Sequence, residues 1–443
     1  LKKQFMVKKR RECVDYQKVL ESIKAFLDTS LGIGTGRFSA VDISAHSIKL
    51  ITARMTKADL IVEQGLFASV FAQDSKDHQK NVAEQLKDWK KRGLVAHQVY
   101  LNLSLPNIIT HRVEMPKMPL KEIREGLKWV IKDQISYGLD KAIFAYDVIG
   151  ERIDEEGNAR MEILYAVLEK EKVLQFYSLF KKAELTLCGI TITPFSMLSL
   201  LEIGGYFKED EIFCVLDIGA ELTQLGIYRN HKLIFSRDIP LGSVHLSEAL
   251  TESISLEKQE ILFSFEEAEQ IKKEYGIPLE KELVIHDKLK AEKAHYLMRP
   301  ILELFANEIT RSLEYLESHY AEKTREKRVF LMGNGSCLKN LDIFMKDQGI
   351  QEVLSFKMPE RVKLASIREE HGSDEEFLKK YGGALSALLG RNEKVNLLPE
   401  YLHVKKIYTY QKVGLRLALI FIGLVFFILI AMNNVQIHIL KKN

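Results

Sequence analysis

Val41-Asp42-Ile43-Ser44-Ala45-His46-Ser47-Ile48-Lys49-Leu50 recurs in altered form as Leu216-Asp217-Ile218-Gly219-Ala220-Glu221-Leu222-Thr223-Gln224-Leu225. Asp, Ile, Ala and Leu match at a constant offset of 175 residues. Each copy follows an apolar run, Phe38 to Val41 or Ile212 to Leu216, and turns at a small residue. Each then resumes an alternating pattern, Ile48 and Leu50 in one and Thr223, Leu225 and Ile227 in the other. The pattern predicts a strand, an Asp at its end, a tight turn and a second strand. Two such hairpins facing each other form a grip for a phosphate chain. Turn amides would meet the phosphates, and the two Asp would sit by a bridging metal. The candidate ligand residues are therefore Asp42, Ser44, Ala45, His46, Ser47 and Lys49 in the first copy and Asp217, Gly219, Ala220, Glu221 and Thr223 in the second. Asp42 and Asp217 are the candidate metal ligands.

The 443 residues suggest two to four domains at about 100–200 residues each. A net charge of +3 makes no case for nucleic acid as a partner. The four cysteines, Cys13, Cys188, Cys214 and Cys337, form no CxxC or zinc spacing, which fits a reducing compartment. Leu417 to Met432 is an unbroken apolar run, and with Val413 to Arg416 it reaches the ~20 residues that span a bilayer. Lys405, Lys406, Lys412 and Arg416 precede it, so the large N-terminal part is expected on the cytoplasmic side of an inner membrane crossed once.

Between these landmarks the periodicities predict alternating helices and strands. A helix is expected at Asn81 to Arg92 and a strand at Val99 to Leu105. A helix from Leu120 would bury Ile123, Leu127, Val130 or Ile131, and Ile135. Strands at Phe144 to Ile149 and Met161 to Leu168 flank a polar turn, and a helix follows at Glu171 to Ala183. Ser264-Phe265-Glu266-Glu267 is a capping box opening a helix that Gly276 ends. On it, Lys273 reads as a solvated surface charge. A long helix is expected from Pro300 to Tyr320, burying Ile301, Leu304, Phe305, Ile309, Leu313 and Leu316. Strand Val329 to Met332 then leads through the turn Gly333-Asn334-Gly335-Ser336 into a helix starting at Cys337, an arrangement that suits an anion or polar group.

The order of these elements, Asp42 hairpin, Asp217 hairpin and Gly333-Asn334-Gly335 turn, resembles the actin-like ATPase superfamily. Within it, the chain is similar to the PilM family of type IV pilus assembly. The resemblance rests on Glu114-Met115-Pro116-Lys117-Met118-Pro119 through Trp129, Tyr146-Asp147-Val148-Ile149, Leu216 to Ala220, Phe265 to Lys272 and Glu308 to Tyr315. It runs from roughly Phe38 to Gly390. Val395-Asn396-Leu397-Leu398-Pro399 resembles the cytoplasmic peptide of the PilN family, which precedes a single membrane helix and docks on PilM. The layout is also similar to GspL of type II secretion.

The resemblance implies an α/β, actin-like (ribonuclease-H-like) duplicated fold with an inserted α+β subdomain and one C-terminal transmembrane helix. The expected division is a basic helical extension (1–36), a first half (37–210) with the insertion at about 111–190, and a second half (211–391). A linker with the PilN-like peptide (392–412), the membrane helix (413–434) and a short tail (435–443) follow. It further implies ATP with Mg as cofactor, bound weakly, at the hairpin residues above, Glu269, Lys272 and the Gly333, Asn334, Gly335 and Ser336 turn. Partner contact falls on Asn396, Leu397, Leu398 and Pro399. Expected partners are PilN- and PilO-like inner-membrane proteins, a cytoplasmic motor ATPase and further copies of the chain. Ser44 replaces a glycine of the family's first turn, and Thr191 and Thr193 stand in a segment that is usually acidic. The function implied is a membrane-anchored scaffold with little catalysis. The alternatives are an ATP-hydrolysing enzyme or an FtsA-like polymer former.

Overall fold

The computed structural model describes residues 36–402, apart from 73, 107, 252–253, 257–258, 262, 280–283, 286–288, 321–327, 351, 366–371 and 392–394, together with 422 and 423. The N-terminal extension and nearly all of the expected membrane span, 413–434, lie outside the described residues. Among those described, no helix is long and apolar enough to cross a membrane. Residues 1–397 and 398–443 form separate compact units.

The first hairpin forms as its alternation predicts. Strands β1 (Gly36–Ser44) and β2 (Ser47–Met55) pair antiparallel with Asp42 opposite Lys49, and β3 (Leu60–Ser69) continues the meander. Helix α1 (Ser75–Lys91) begins earlier than its apolar residues announce, because the Asp74 side chain accepts from Lys76 N and caps it. Strand β4 (Gln98–Ser104) returns parallel to β1.

A separate three-stranded sheet follows, made of β5 (Ile109–Pro116), β6 (Ala142–Ile153) and β7 (Ala159–Glu169) in the order β5-β7-β6. Helix α2 (Leu120–Gln134) covers it. Ile123, Leu127 and Ile131 fall at helical spacing and bury completely against Phe144, Met161, Ile163 and Tyr165. Helix α3 (Lys170–Lys182), strand β8 (Thr186–Ile192) and helix α4 (Thr193–Ile203) lead back to the first sheet, where β8 pairs parallel with β4.

The second hairpin is β9 (Phe213–Ile218) and β10 (Thr223–Arg229), with Asp217 opposite Gln224, extended by β11 (Lys232–Ile239). Helix α5 (Ser243–Leu250), a ribbon of β12 (Ile254–Leu256) and β13 (Gln259–Ile261), and helix α6 (Phe265–Tyr275) come next. The expected capping box is present at α6, Ser264 Oγ accepting from Glu267 N and Glu267 from Ser264 N. A second ribbon, β14 (Val284–Ile285) and β15 (Leu289–Lys290), precedes helix α7 (Ala291–Tyr320). That helix starts nine residues before the expected Pro300. Ala291, Ala294 and Met298 are already buried at helical spacing, so packing carries the helix through the proline. Leu302, Phe305, Ile309 and Leu313 form its buried face, while Leu304, expected there, is 41% exposed.

Strand β16 (Arg328–Met332) pairs parallel with β9. The turn after it is a 3₁₀ helix, Asn334–Cys337, and helix α8 (Leu341–Asp347) starts only after it, so no α-helix N-terminus faces the turn as expected at Cys337. Strand β17 (Glu352–Ser355) completes the second sheet. The chain then crosses back: β18 (Val362–Leu364) pairs with β3, and Ser386 of helix α9 (Asp374–Leu389) bonds Ser196 of α4 at 2.8 Å. Strand β18 and helix α9, expected in the second half, pack against the first sheet and α4, and α9 also meets β16 and the turn after it.

The two large sheets have the orders β18-β3-β2-β1-β4-β8 and β11-β10-β9-β16-β17. In each, a three-stranded antiparallel meander continues through its first strand into two parallel strands. The recurrence seen in the sequence is therefore a recurrence of topology, and β1 and β9 are the equivalent strands.

Candidate functional site

Both Asp residues end strands, and the two strand ends face one cavity of about 460 Å³. Its lining includes Asp42, Ser44, His46, Ser47 and Lys49 from the first hairpin and Asp217, Gly219 and Ala220 from the second. Glu269 and Lys272 of α6, and Asn334 and Gly335 of the later turn, also line it. The volume suits a small ligand.

Asp42 is 4% exposed and fully engaged. Its Oδ1 accepts from Asn102 Nδ2 at 2.9 Å and Ser104 Oγ at 3.3 Å, and Lys49 Nζ lies 3.4 Å from Oδ2. Asn102 Nδ2 also donates to Thr193 Oγ1 at 2.9 Å. Ser104 Oγ reaches across to Gln224 Oε1 at 3.3 Å, and Gln224 Nε2 donates to Asp238 at 3.3 Å. An amide and hydroxyl network thus ties the two halves together beneath the hairpins. Helix α9 can approach it because position 383 is glycine: a Cβ there would lie 3.1 Å from Asn102 Nδ2 and 3.4 Å from Asp42 Oδ2.

Asp217 differs in its electrostatics. Burial pushes its carboxyl up to about 6, Lys49 and Thr193 pull it down, and Asp42 adds to the rise. Asp238 is likewise raised to about 6 by burial, with Gln224 opposing. A group that favours the ionised form of Asp217, such as a cation, would find here a carboxylate short of positive charge. Asn102 Oδ1 is buried without a partner beside Asp42 and Ser104, an acceptor suited to metal-bound water. Magnesium commonly takes one or two carboxylates and completes its shell with water and substrate phosphates. Asp42 and Asp217 fit that role. Among the described residues no group of three or more His, Cys, Asp or Glu side chains is arranged to hold a metal.

The hairpin turns are shaped by their own side chains. Ser44 Oγ accepts from Ser47 N at 3.1 Å and contacts Ser47 Oγ at 3.0 Å, closing the first turn. Ala45 lines a neighbouring cavity, and His46 lines both. The second turn is braced from behind, Ser243 N donating to Gly219 O at 3.0 Å and Val244 N to Ala220 O at 2.9 Å. Glu221 reaches His46, with Nε2 and Oε1 2.6 Å apart.

Glu269 and Lys272 are paired, and Lys272 Nζ donates to Ser243 O at 2.8 Å. Burial opposes the charge on Glu269, but bonds from Lys272 and Ser247 outweigh it and hold the carboxyl below its usual range. Burial lowers Lys272, against the pull of Glu269. Lys273 is solvated, as expected, with its side chain 76% exposed.

Thr223, Ser336 and Gly333, expected as ligand residues, line neither of these cavities. Thr223 is fully buried and donates to Leu241 O at 2.7 Å, serving the core because its side chain falls on the inner face of β10. Ser336 turns inward and donates to Gly333 O at 2.7 Å. Gly333 contributes backbone geometry, with φ of 84°, and a Cβ there would lie 2.4 Å from Asp217 Oδ1. Asn102, Ser104, Gln224, Ser243 and Gly383 are site residues that the sequence reading passed over. The one available signal was Asn102, a lone amide inside the apolar strand Val99–Leu103.

At the open edge of the first sheet, Ile190 of β8 meets the C-terminal peptide. Ile190 N donates to Asn396 Oδ1 at 2.9 Å, and Leu397 N donates to Ile190 O at 2.8 Å. Val395 and Leu397 are buried. Leu398 begins the separate unit, in which Pro399 O accepts from Leu402 N at 2.9 Å.

A family model described as type IV pilus assembly protein PilM matches residues 40–358. Among solved structures, the chain is similar to one described as a PilM-PilN type IV pilus biogenesis complex. Identity there is 22%, covering 81% of this chain and 99% of that one, with a TM-score of 0.64. It also matches the ethanolamine utilization protein EutJ of Carboxydothermus hydrogenoformans at 15% identity, covering 80% and 90% with a TM-score of 0.42. The ADP-bound MreB5 of Spiroplasma citri matches at 14%, covering 80% and 95%, also with 0.42.

Proposed function

This chain belongs to the type IV pilus assembly protein PilM family, with an actin-like fold, and we propose that it is a membrane-tethered scaffold whose cleft binds magnesium-ATP weakly. The observation that carries the nucleotide reading is the pairing of Asp42 with Asp217 across one cavity, with Lys49 beside both. In this reading Asp42 and Asp217 hold the magnesium shell, Lys49 meets the phosphates, and Glu269 and Lys272 face the nucleoside. Bound magnesium would neutralise phosphate charge. Besides Lys49, the groups bonded to Asp42 or to its partners are amides and hydroxyls, Asn102, Ser104, Thr193 and Gln224. They suit holding a ligand better than activating water, which favours binding over rapid turnover. Calorimetry of the full chain in detergent with ATP and Mg²⁺ tests this: wild type should give heat, and Asp217→Ala at least tenfold weaker binding. No heat from wild type, or an unchanged Asp217→Ala titration, would remove nucleotide from the reading.

The scaffold role rests on the two ends of the C-terminal stretch. The apolar run Leu417 to Met432 supplies the tether. The Asn396 to Pro399 peptide, similar to that of a PilN-like partner, supplies the link to the platform, and tethering gives Asn396 and Leu397 a high effective concentration at their own β8 edge. Asn396→Ala removes the side-chain acceptor from Ile190 N, a loss of about 1 kcal/mol or somewhat more. The Leu397 amide should then exchange with solvent roughly tenfold faster. An unchanged exchange rate would mean that the peptide is not held by this contact.

A further inference from the structure

We propose that His46 and Glu221 form a latch across the cleft, closed when it is empty and opened by the terminal phosphate of a nucleoside triphosphate. The inference rests on the nucleotide reading above and concerns the regulation of that site. The two residues occupy equivalent positions of the internal duplication, 175 residues apart, one at the tip of each hairpin. The first tip is held firmly. His46 O accepts from Val70 N at 3.0 Å, and His78 Nε2 lies 3.0 Å from Ser44 O. The imidazole stacks on Phe71, with centroids 4.4 Å apart and planes 18° from parallel. One ring edge is thereby presented to the second tip, where Nε2 meets Glu221 Oε1 at 2.6 Å. The second tip is braced by Ser243 and Val244 of α5. Two fixed turns are thus joined by a single side-chain pair.

The chemistry of the pair conflicts with that of the site. Glu221 places a carboxylate against His46, which lines the same cleft as Lys49. A phosphoryl group arriving there meets like charge, and it can accept the same imidazole hydrogen bond that Glu221 accepts now. Only one of the two anions can hold His46 Nε2. A diphosphate, shorter by one phosphoryl group, leaves the pair closed. The pair is partly solvated, its side chains 24% and 46% exposed, so the expected effect is a few-fold.

The full chain in detergent would be compared as wild type, Glu221→Ala and His46→Ala. Hydrogen exchange of residues 44–47 and 219–222 is read without nucleotide, and Mg²⁺-dependent affinities for ATP and ADP by calorimetry. Glu221 is half exposed, so its replacement spares the fold. The latch predicts faster exchange at 219–222 in His46→Ala and at 44–47 in Glu221→Ala. It also predicts that Glu221→Ala raises ATP affinity about threefold to fivefold, a change at least twofold larger than any it makes to ADP affinity. Equal gains for both nucleotides, a loss for ATP, or exchange at each tip indifferent to the other overturns the latch alone. Exchange coupling with no nucleotide bound by wild type overturns the nucleotide reading and the phosphate trigger together.

Discussion

Replacing Asp217 with asparagine is expected to stabilise the nucleotide-free protein at pH 8 by up to about 3 kcal/mol, at the cost of magnesium-dependent binding. Asp217 is 9% exposed, and burial lifts its carboxyl from 3.8 to about 6 in the folded chain. The folded state therefore holds a proton that the unfolded state releases between those values. Stability from this group is complete below about pH 4, falls as pH rises toward 6, and is absent at pH 8. About two pH units correspond to about 3 kcal/mol. Asparagine keeps the shape of the protonated carboxyl without the charge, and it ends the repulsion with Asp42 while Lys49 keeps its partner. The thermal midpoint of Asp217→Asn should accordingly rise above that of wild type at pH 8, and the two should converge near pH 4. Asp238→Asn should act in the same direction for the same reason. Midpoints that coincide throughout pH 4.5 to 8 would mean that the Asp217 carboxylate is solvated in the folded chain. A gain in stability coupled to a loss of binding is the signature of a ligand site, where a buried charge is kept against its own solvation.

The parts of this site that the sequence announced are those with a local cause. An apolar strand ending in Asp, a small residue and renewed alternation define a hairpin from about ten residues, so both hairpins and the facing of Asp42 and Asp217 were legible. The capping box at Ser264 fixed the start of α6 for the same reason. What failed needed information from distant chain. Alternation assigns Thr223 to one face of β10, but only the packed sheet says which face lines the cleft. Ser104 and Gln224 meet across 120 residues, and no local pattern records that. Strand β18 has three residues, too few for any periodicity, so the return of the chain to the first sheet was invisible. Proline favours a first helical turn, yet the buried face of Ala291, Ala294 and Met298 carries α7 through Pro300.

Gly333→Ala is expected to be the most damaging single-methyl change at the site, lowering stability by about 2–5 kcal/mol and removing nucleotide binding even where the variant remains folded. Two costs add. The backbone there has φ of 84°, where a Cβ costs about 1–2 kcal/mol. The new methyl would also lie 2.4 Å from Asp217 Oδ1 and 2.4 Å from Ile218 O, and crowding of a packed interior costs about 1–3 kcal/mol. Asp217 can swing away, but Ile218 O is backbone in the middle of the second sheet and cannot. Relief must come from moving β9 or the Asn334–Cys337 turn, and both line the cleft. Gly93→Ala separates the two costs. Gly93 has φ of 71° with nothing within 4 Å of the added methyl, so it should show the conformational cost alone. The fall in thermal midpoint for Gly333→Ala should be at least twice that for Gly93→Ala, and only the former should lose ATP. Equal falls would show that the turn moves freely beneath Asp217, and the metal pair would then lack the fixed geometry that holding a magnesium-nucleotide requires.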